Sequence, residues 1–157
     1  MKHLTQIKYP SLIKADGLAA GKGVIICNEE QDAIDAIKKI FSSDHSQKLI
    51  IEDFLVGQEL SAIYICNFNG PSFETSLPWT KDYKSRDEFN SGPNTGGMGA
   101  YSPAPIITKK LEKKIISKIV KPTLYALKKK NNSFNGFLYV GLMIKNDEPY
   151  LIEYNIR

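Results

Sequence analysis

Gly92-Pro93-Asn94-Thr95-Gly96-Gly97-Met98-Gly99-Ala100-Tyr101-Ser102-Pro103 sets four glycines and two prolines within twelve residues. Glycine costs entropy in regular elements and proline lacks a backbone donor, so this run excludes a helix interior or a central strand. It predicts a shaped loop whose backbone N–H groups can face a ligand. A second glycine-rich run, Lys14-Ala15-Asp16-Gly17-Leu18-Ala19-Ala20-Gly21-Lys22-Gly23-Val24, lies upstream. Two rigid polar loops in one small chain point to an anionic small molecule held from two sides.

At 157 residues the chain is long enough for one ordinary domain or two small subdomains. Its 42% hydrophobic and 24% charged residues are those of a globular protein with a real core. The net charge of +4 comes largely from lysine runs at Lys109-Lys110, Lys113-Lys114 and Lys128-Lys129-Lys130. These read as solvated helix faces. Nucleic-acid binding is disfavoured, because the lysines are not interleaved with a platform of aromatics. Cys27 and Cys66 each sit in an apolar run. Two separated thiols make neither a metal cluster nor a disulfide framework, and they predict buried reduced cysteines in a cytoplasmic protein. Met1-Lys2-His3-Leu4-Thr5 lacks a signal-peptide core, and no apolar stretch approaches the roughly 18 residues that span a membrane. Neither His3 nor His45 suggests a role.

Along the chain, Ser11–Lys14 and Gly23–Cys27 read as a strand and its return around the first glycine loop. Asn28 offers a helix cap with Gln31 at the capping-box position. Ala33, Ile34, Ile37, Ile40 and Phe41 then recur at helical spacing, predicting a helix over Glu29–Phe41. Leu49–Asp53, Glu59–Cys66 and Ser72–Leu77 read as strands, the last two joined by a turn at Asn69-Gly70. Residues 78–105 read as a long functional connection. The stripe Leu111, Ile115, Ile116, Ile119, Leu124 and Leu127 predicts a helix over Thr108–Lys130, kinked or broken by Pro122. Phe137–Ile144 and Tyr150–Tyr154 read as strands joined at Asn146-Asp147. The plan is α+β.

Three constellations carry chemistry. Lys14 and Lys22, on opposite arms of a hairpin tip, can place two point charges on phosphate oxygens, with Gly17, Gly21 and Gly23 allowing close backbone approach. The tip lacks the hydroxyl and following helix of a phosphate loop, so a tight turn with solvent lysines is the alternative. In Glu52-Asp53-Phe54-Leu55, the backbone after a strand could read an adenine edge, and Glu59 could accept ribose hydroxyls; two surface acids around a turn is the plainer reading. Glu153 and Asn155 are two apart on a strand and share a face. Both are hard oxygen donors suited to Mg²⁺, and Arg157 falls on that face with a fork that fits carboxylate or phosphate.

In this order, these segments resemble the ATP-grasp portion of the phosphoribosylamine–glycine ligase (glycinamide ribonucleotide synthetase) family. The resemblance rests on Lys14–Val24, Glu52–Glu59, Gly92–Pro103, Gly141-Leu142-Met143 and Glu153–Arg157, and runs from Pro10 onward. It implies an α+β ATP-grasp fold, two α+β subdomains clasping nucleotide between antiparallel sheets. Residues 1–77 would form the lid subdomain and 78–157 part of the larger one.

The activity implied is ligation of glycine to 5-phosphoribosylamine, driven by ATP through a glycyl phosphate, in purine biosynthesis. Catalysis of this kind is largely positioning and charge stabilisation. The resemblance assigns Lys14, Lys22 and Gly23 to the ATP phosphates, Glu52, Asp53, Phe54 and Leu55 to the adenine, and Glu59 to the ribose. Glu153 and Asn155 would hold Mg²⁺ or Mn²⁺. Lys22 and Arg157 would act on the reacting groups. Asp82, Lys84 and the loop Asn94, Thr95, Gly96, Gly97, Met98 and Gly99 would line the substrate side with Arg157.

Three local departures stand out: Tyr83 where the family has His, Ile156 where Cys is common, and an unusual Ser85–Ser91. The family enzyme also carries domains on either side of this region, so the chain reads as an internal piece whose partners include those flanking domains, and which alone does not complete the reaction. Another ATP-grasp carboxylate–amine ligase, or a non-catalytic nucleotide-binding remnant, are the alternative readings.

Overall fold

The computed structural model describes residues 4–16, 23–42, 48–67, 74–88 and 91–156. They form two compact units, one of residues 1–55 with 85–96, the other of 56–84 with 97–157. The sequence reading divides the chain at 77/78, whereas these units divide it after Leu55 and share out the segment 85–96.

In the first unit, strands β1 (Ser11–Ala15), β2 (Val24–Cys27) and β3 (Leu49–Asp53) form an antiparallel sheet in the order β2-β1-β3. Helix α1 (Glu30–Ser42) packs on one face. Alternation places Ile13, Cys27, Ile25 and Ile51 on that face, against Ala33, Ala36 and Ile40. The helix start differs in one detail from expectation. Asp32, not Gln31, accepts from the Asn28 N–H, at 2.9 Å, while Gln31 donates to Asp35. A carboxylate is the stronger acceptor at a helix N-terminus.

In the second unit, β4 (Gln58–Asn67), β5 (Glu74–Ser76), β8 (Asn135–Lys145) and β9 (Glu148–Ile156) form an antiparallel sheet in the order β5-β4-β8-β9. Leu60, Ala62, Tyr64, Leu138, Val140 and Leu142 project from one face onto Leu111, Ile115, Ile119, Val120 and Leu124. Each such buried aliphatic side chain contributes about 1.5–3 kcal/mol. Trp79 closes one end, edge-on to Tyr64 with ring centroids 5.8 Å apart. Gly57 opens β4 where a Cβ would sit 2.4 Å from the Ile144 carbonyl oxygen, so no larger residue fits there without backbone movement. Asn146 and Asp147, at φ 53° and 57°, make the β8–β9 turn, as expected of a two-residue hairpin loop.

The helical region is α2 (Lys109–Ile115), a π-helical turn over Ile116–Val120, and α3 (Lys121–Lys129). Thr108 caps it by accepting from Leu111 N at 3.1 Å. Pro122 therefore neither ends the helix nor sits in a regular α-turn. The widened turn before it, closed by Lys121 N–H to Ile116 C=O, accommodates the missing donor and the proline ring.

The opening run overturns its own reading. Residues 81–87 and 91–101 are not a loop but a ribbon of β6 (Lys81–Asp87) and β7 (Ser91–Tyr101). Among the described residues this sheet has two strands only, and glycine and proline are better tolerated on an edge strand than on a central one. Gly92, Gly97 and Gly99 take positive φ within it. The Asn69-Gly70 turn lies outside the described residues.

Candidate functional site

The side of the β4–β8–β9 sheet away from the helices is polar. Register places Glu59, Ser61 and Ile63 of β4 opposite Met143, Gly141 and Tyr139 of β8, and Glu153 and Asn155 of β9 opposite Gly141 and Tyr139. All project to one face. Glu153 and Asn155 share it, as their spacing predicts, and Asn155 Nδ2 donates to Glu153 Oε1 at 3.2 Å. A β-bulge at Ile152 immediately precedes them: Leu151 pairs with Leu142 and Glu153 with Gly141. Gly141 makes room for the arrangement, since a Cβ there would lie 3.1 Å from Glu153 Cγ and 3.3 Å from Tyr139 Cε1.

Asp82 and Lys84 of β6 join this face. Ser61 roots the ribbon on β4, donating its N–H to Thr80 O at 2.8 Å and accepting from Thr80 N at 3.0 Å. Ser61 Oγ donates to Asp82 Oδ1 at 2.8 Å and lies 2.9 Å from Tyr139 Oη. Lys84 Nζ is 3.9 Å from Asp82 and 4.0 Å from Glu59. Burial pulls the Lys84 ammonium down, but the oxygens of Tyr139, Asp82, Glu59 and Glu153 outweigh it and hold the group above the ordinary lysine value. Lys84 is therefore a fixed cation among carboxylates at neutral pH.

Tyr83, which the resemblance sets against a His, projects to the other side of β6. Its ring lies 6.2 Å from that of Tyr101, with Lys81 Nζ 5.6 Å from its centroid. The substitution therefore does not enter the Asp82–Lys84 cluster.

In the first unit, the sheet face opposite α1 carries Leu12, Lys14, Val24, Ile26, Ile50 and Glu52. Lys14 Nζ pairs with Glu52 at 2.6 Å across β1 and β3. Ile26 and Ile50 are half exposed. This is an apolar platform with one ion pair on it. Gly23 precedes β2, Asp53 ends β3, and Phe54 and Leu55 follow in irregular backbone. Thr95, Gly96, Gly97, Met98 and Gly99, with Asn94, lie in β7, where a Cβ at Gly96, Gly97 or Gly99 would meet nothing within 4 Å. Lys22 and Arg157 lie outside the described residues.

The sequence reading missed Ser61, Tyr139 and the apolar residues around Lys14. Tyr139 stands in the apolar run Phe137–Ile144, and Ser61 is a lone serine in β4. Only the pairing register shows that both share a face with Glu153.

As a cation site the Glu153–Asn155 pair supplies one carboxylate and one amide oxygen. Among the described residues no trio of His, Cys, Asp or Glu forms a metal cage. Two hard oxygens fit a Mg²⁺ or Mn²⁺ ion that completes its shell with water and phosphate oxygens. No helix among the described residues is long and apolar enough to cross a membrane.

Residues 1–157 match the model of the family described as phosphoribosylglycinamide synthetase, ATP-grasp (A) domain. A phosphoribosylamine–glycine ligase of Vibrio parahaemolyticus is 43% identical in an alignment that covers 94% of this chain and 35% of that protein. The crystal structure of phosphoribosylamine–glycine ligase from Thermotoga maritima superposes with a TM-score of 0.84 at 36% identity, covering 99% of this chain and 40% of that one. The ATP complex of D-alanine–D-alanine ligase from Bacillus anthracis superposes at 0.64 with 17% identity, over 99% of this chain and 45% of its own, and shows the shared fold alone. The chain thus spans little more than a third of the ligases it matches. With the polar sheet face, the lysine-bearing hairpin and the whole-length family match together, the chain belongs to the phosphoribosylglycinamide synthetase ATP-grasp (A) domain family.

Proposed function

We propose that this chain binds ATP with Mg²⁺ or Mn²⁺ for the ligation of glycine to 5-phosphoribosylamine, the reaction named by its longer relatives. The observation that carries this reading is the Glu153–Asn155 pair, set on one face by the bulge at Ile152 and flanked by the fixed cation Lys84. When bound, the metal ion supplies charge neutralisation on phosphate oxygens. The residues supply the rest. Lys14, held by Glu52 over an apolar surface, offers a charge to phosphate beside a platform for the base. Lys22 and Gly23 extend that phosphate contact. Glu59 accepts ribose hydroxyls, and Asp53, Phe54 and Leu55 present backbone to the adenine edge. Lys84 stabilises the negative charge on the phosphoryl oxygens passing from ATP to the glycine carboxylate, and Asp82 holds Lys84. The β7 backbone around Asn94–Gly99, with Arg157, orients the glycine and glycyl phosphate end.

Calorimetric titration of the chain with ATP tests this. Saturable binding that requires Mg²⁺, and is lost in the Glu153→Ala, Asn155→Ala double variant, is expected. Equal affinity in that variant and the parent would reject the metal assignment.

A further inference from the structure

The Asp82–Lys84 element stands on a hydrogen-bonded chain that no sequence motif marks. Ser61 has one hydroxyl proton, and it goes to Asp82 Oδ1 at 2.8 Å. The 2.9 Å contact with Tyr139 Oη must then be donated by the phenol. The chain has a fixed direction, Tyr139 O–H to Ser61 Oγ, then Ser61 O–H to Asp82. It runs from the central strand β8 through β4 to the ribbon. Ser61 is buried and Tyr139 is 8% exposed, so water does not readily substitute for either partner. With its proton committed to Ser61, the phenol oxygen keeps its lone pairs as acceptors. The two backbone bonds between Ser61 and Thr80 place this joint at the root of β6, two residues before Asp82 and four before Lys84.

We infer that Ser61 and Tyr139 are positioning residues that hold Asp82 and Lys84 on the metal-bearing sheet face, fixing where a cation meets the phosphate-bearing end of a bound ligand. The inference deepens the ATP reading and rests on it for the ligand, but not for the geometry.

The experiment uses the chain with Ser61→Ala, Ser61→Thr and Tyr139→Phe, and two readouts. The first is the titration of the Lys84 ammonium by NMR of methyl-labelled lysines, assigned with Lys84→Arg. Its midpoint is expected to fall toward the ordinary lysine value in Ser61→Ala and Tyr139→Phe, and to be retained in Ser61→Thr, which keeps the hydroxyl. An unchanged midpoint in both hydroxyl-deleting variants overturns the inference, whatever the nucleotide does. The second readout is affinity for Mg-ATP beside affinity for adenosine. Ser61→Ala and Tyr139→Phe are expected to weaken Mg-ATP about tenfold and leave adenosine unchanged. Equal weakening of both ligands would mean that the hydroxyls only maintain the sheet, and also overturns it. If the parent chain binds no Mg-ATP yet the Lys84 midpoint moves as expected, the nucleotide reading fails and the positioning role stands.

Discussion

Replacing Gly141 by alanine puts a single methyl group at the most crowded point of the polar face. The added Cβ would lie 3.1 Å from Glu153 Cγ and 3.3 Å from Tyr139 Cε1, against a comfortable carbon–carbon separation of about 3.5–4.0 Å. Something must yield by roughly half an ångström. Tyr139 is buried and restrained by its bond to Ser61, whereas Glu153 is an exposed side chain held by the longer 3.2 Å bond from Asn155 Nδ2. Glu153 therefore gives way. The cost of turning it is offset by the roughly 0.5–1 kcal/mol gained when alanine replaces glycine inside a strand, because Gly141 has no positive φ to relieve. Net stability should change by less than about 1 kcal/mol, or a few degrees in Tm at this chain length. Metal-dependent ATP affinity should nevertheless fall about tenfold, which corresponds to 1.4 kcal/mol. Scanning calorimetry and titration with Mg-ATP on the same samples separate the two quantities, with Gly96→Ala as the control because nothing lies within 4 Å of its Cβ. A Tm drop above ten degrees, or an unchanged Mg-ATP affinity, would refute the reasoning that the methyl acts by displacing Glu153.

Gly57→Ala should destabilise by about 1–3 kcal/mol, read as a lowered urea midpoint, because its Cβ would meet the Ile144 carbonyl oxygen at 2.4 Å, where backbone must move. Leu124→Ala, at a position 1% exposed in the helix–sheet core, should cost about 2–5 kcal/mol. Glu148 accepts from both Lys114 and Lys118, which hold its carboxyl at about 2. Because this folded value lies below the unfolded one, the stabilisation is present above the ordinary carboxylate range and is lost as pH falls through about 2. A carbon-13 carboxyl titration should show that midpoint in the parent and a rise in Lys114→Ala, Lys118→Ala.

Much of the fold was legible because its signals are local. The apolar runs at Leu49–Ile51 and Phe137–Ile144 and the Asn146-Asp147 turn carry their own backbone preferences. So does the apolar stripe from Leu111 to Leu124. The ribbon of β6 and β7 was not legible, because glycine and proline obey a different rule on the strands of a two-stranded sheet than on central strands. The site divides in the same way. Glu153 and Asn155 announce themselves by spacing, while Ser61 and Tyr139, 78 residues apart, meet only through the β4–β8 register, a long-range property. The π-turn before Pro122 was illegible for a related reason. Proline states that a regular bond is missing, but not whether the chain breaks or widens to absorb the loss.

The bulge at Ile152 acts as a phase joint in β9. Side chains on a strand alternate like beats, and one extra residue resets the count. On the turn side, Tyr150 shares the polar face and Leu151 the opposite one; past the joint, Glu153 takes up the polar beat afresh. The two halves of the strand are thereby decoupled in parity. A length error near the Asn146-Asp147 turn would be taken up at Ile152, and would not rotate the carboxylate into the core. The hairpin tip is accordingly the place where this sheet can be lengthened, labelled or joined to another chain while Glu153 keeps its bearing.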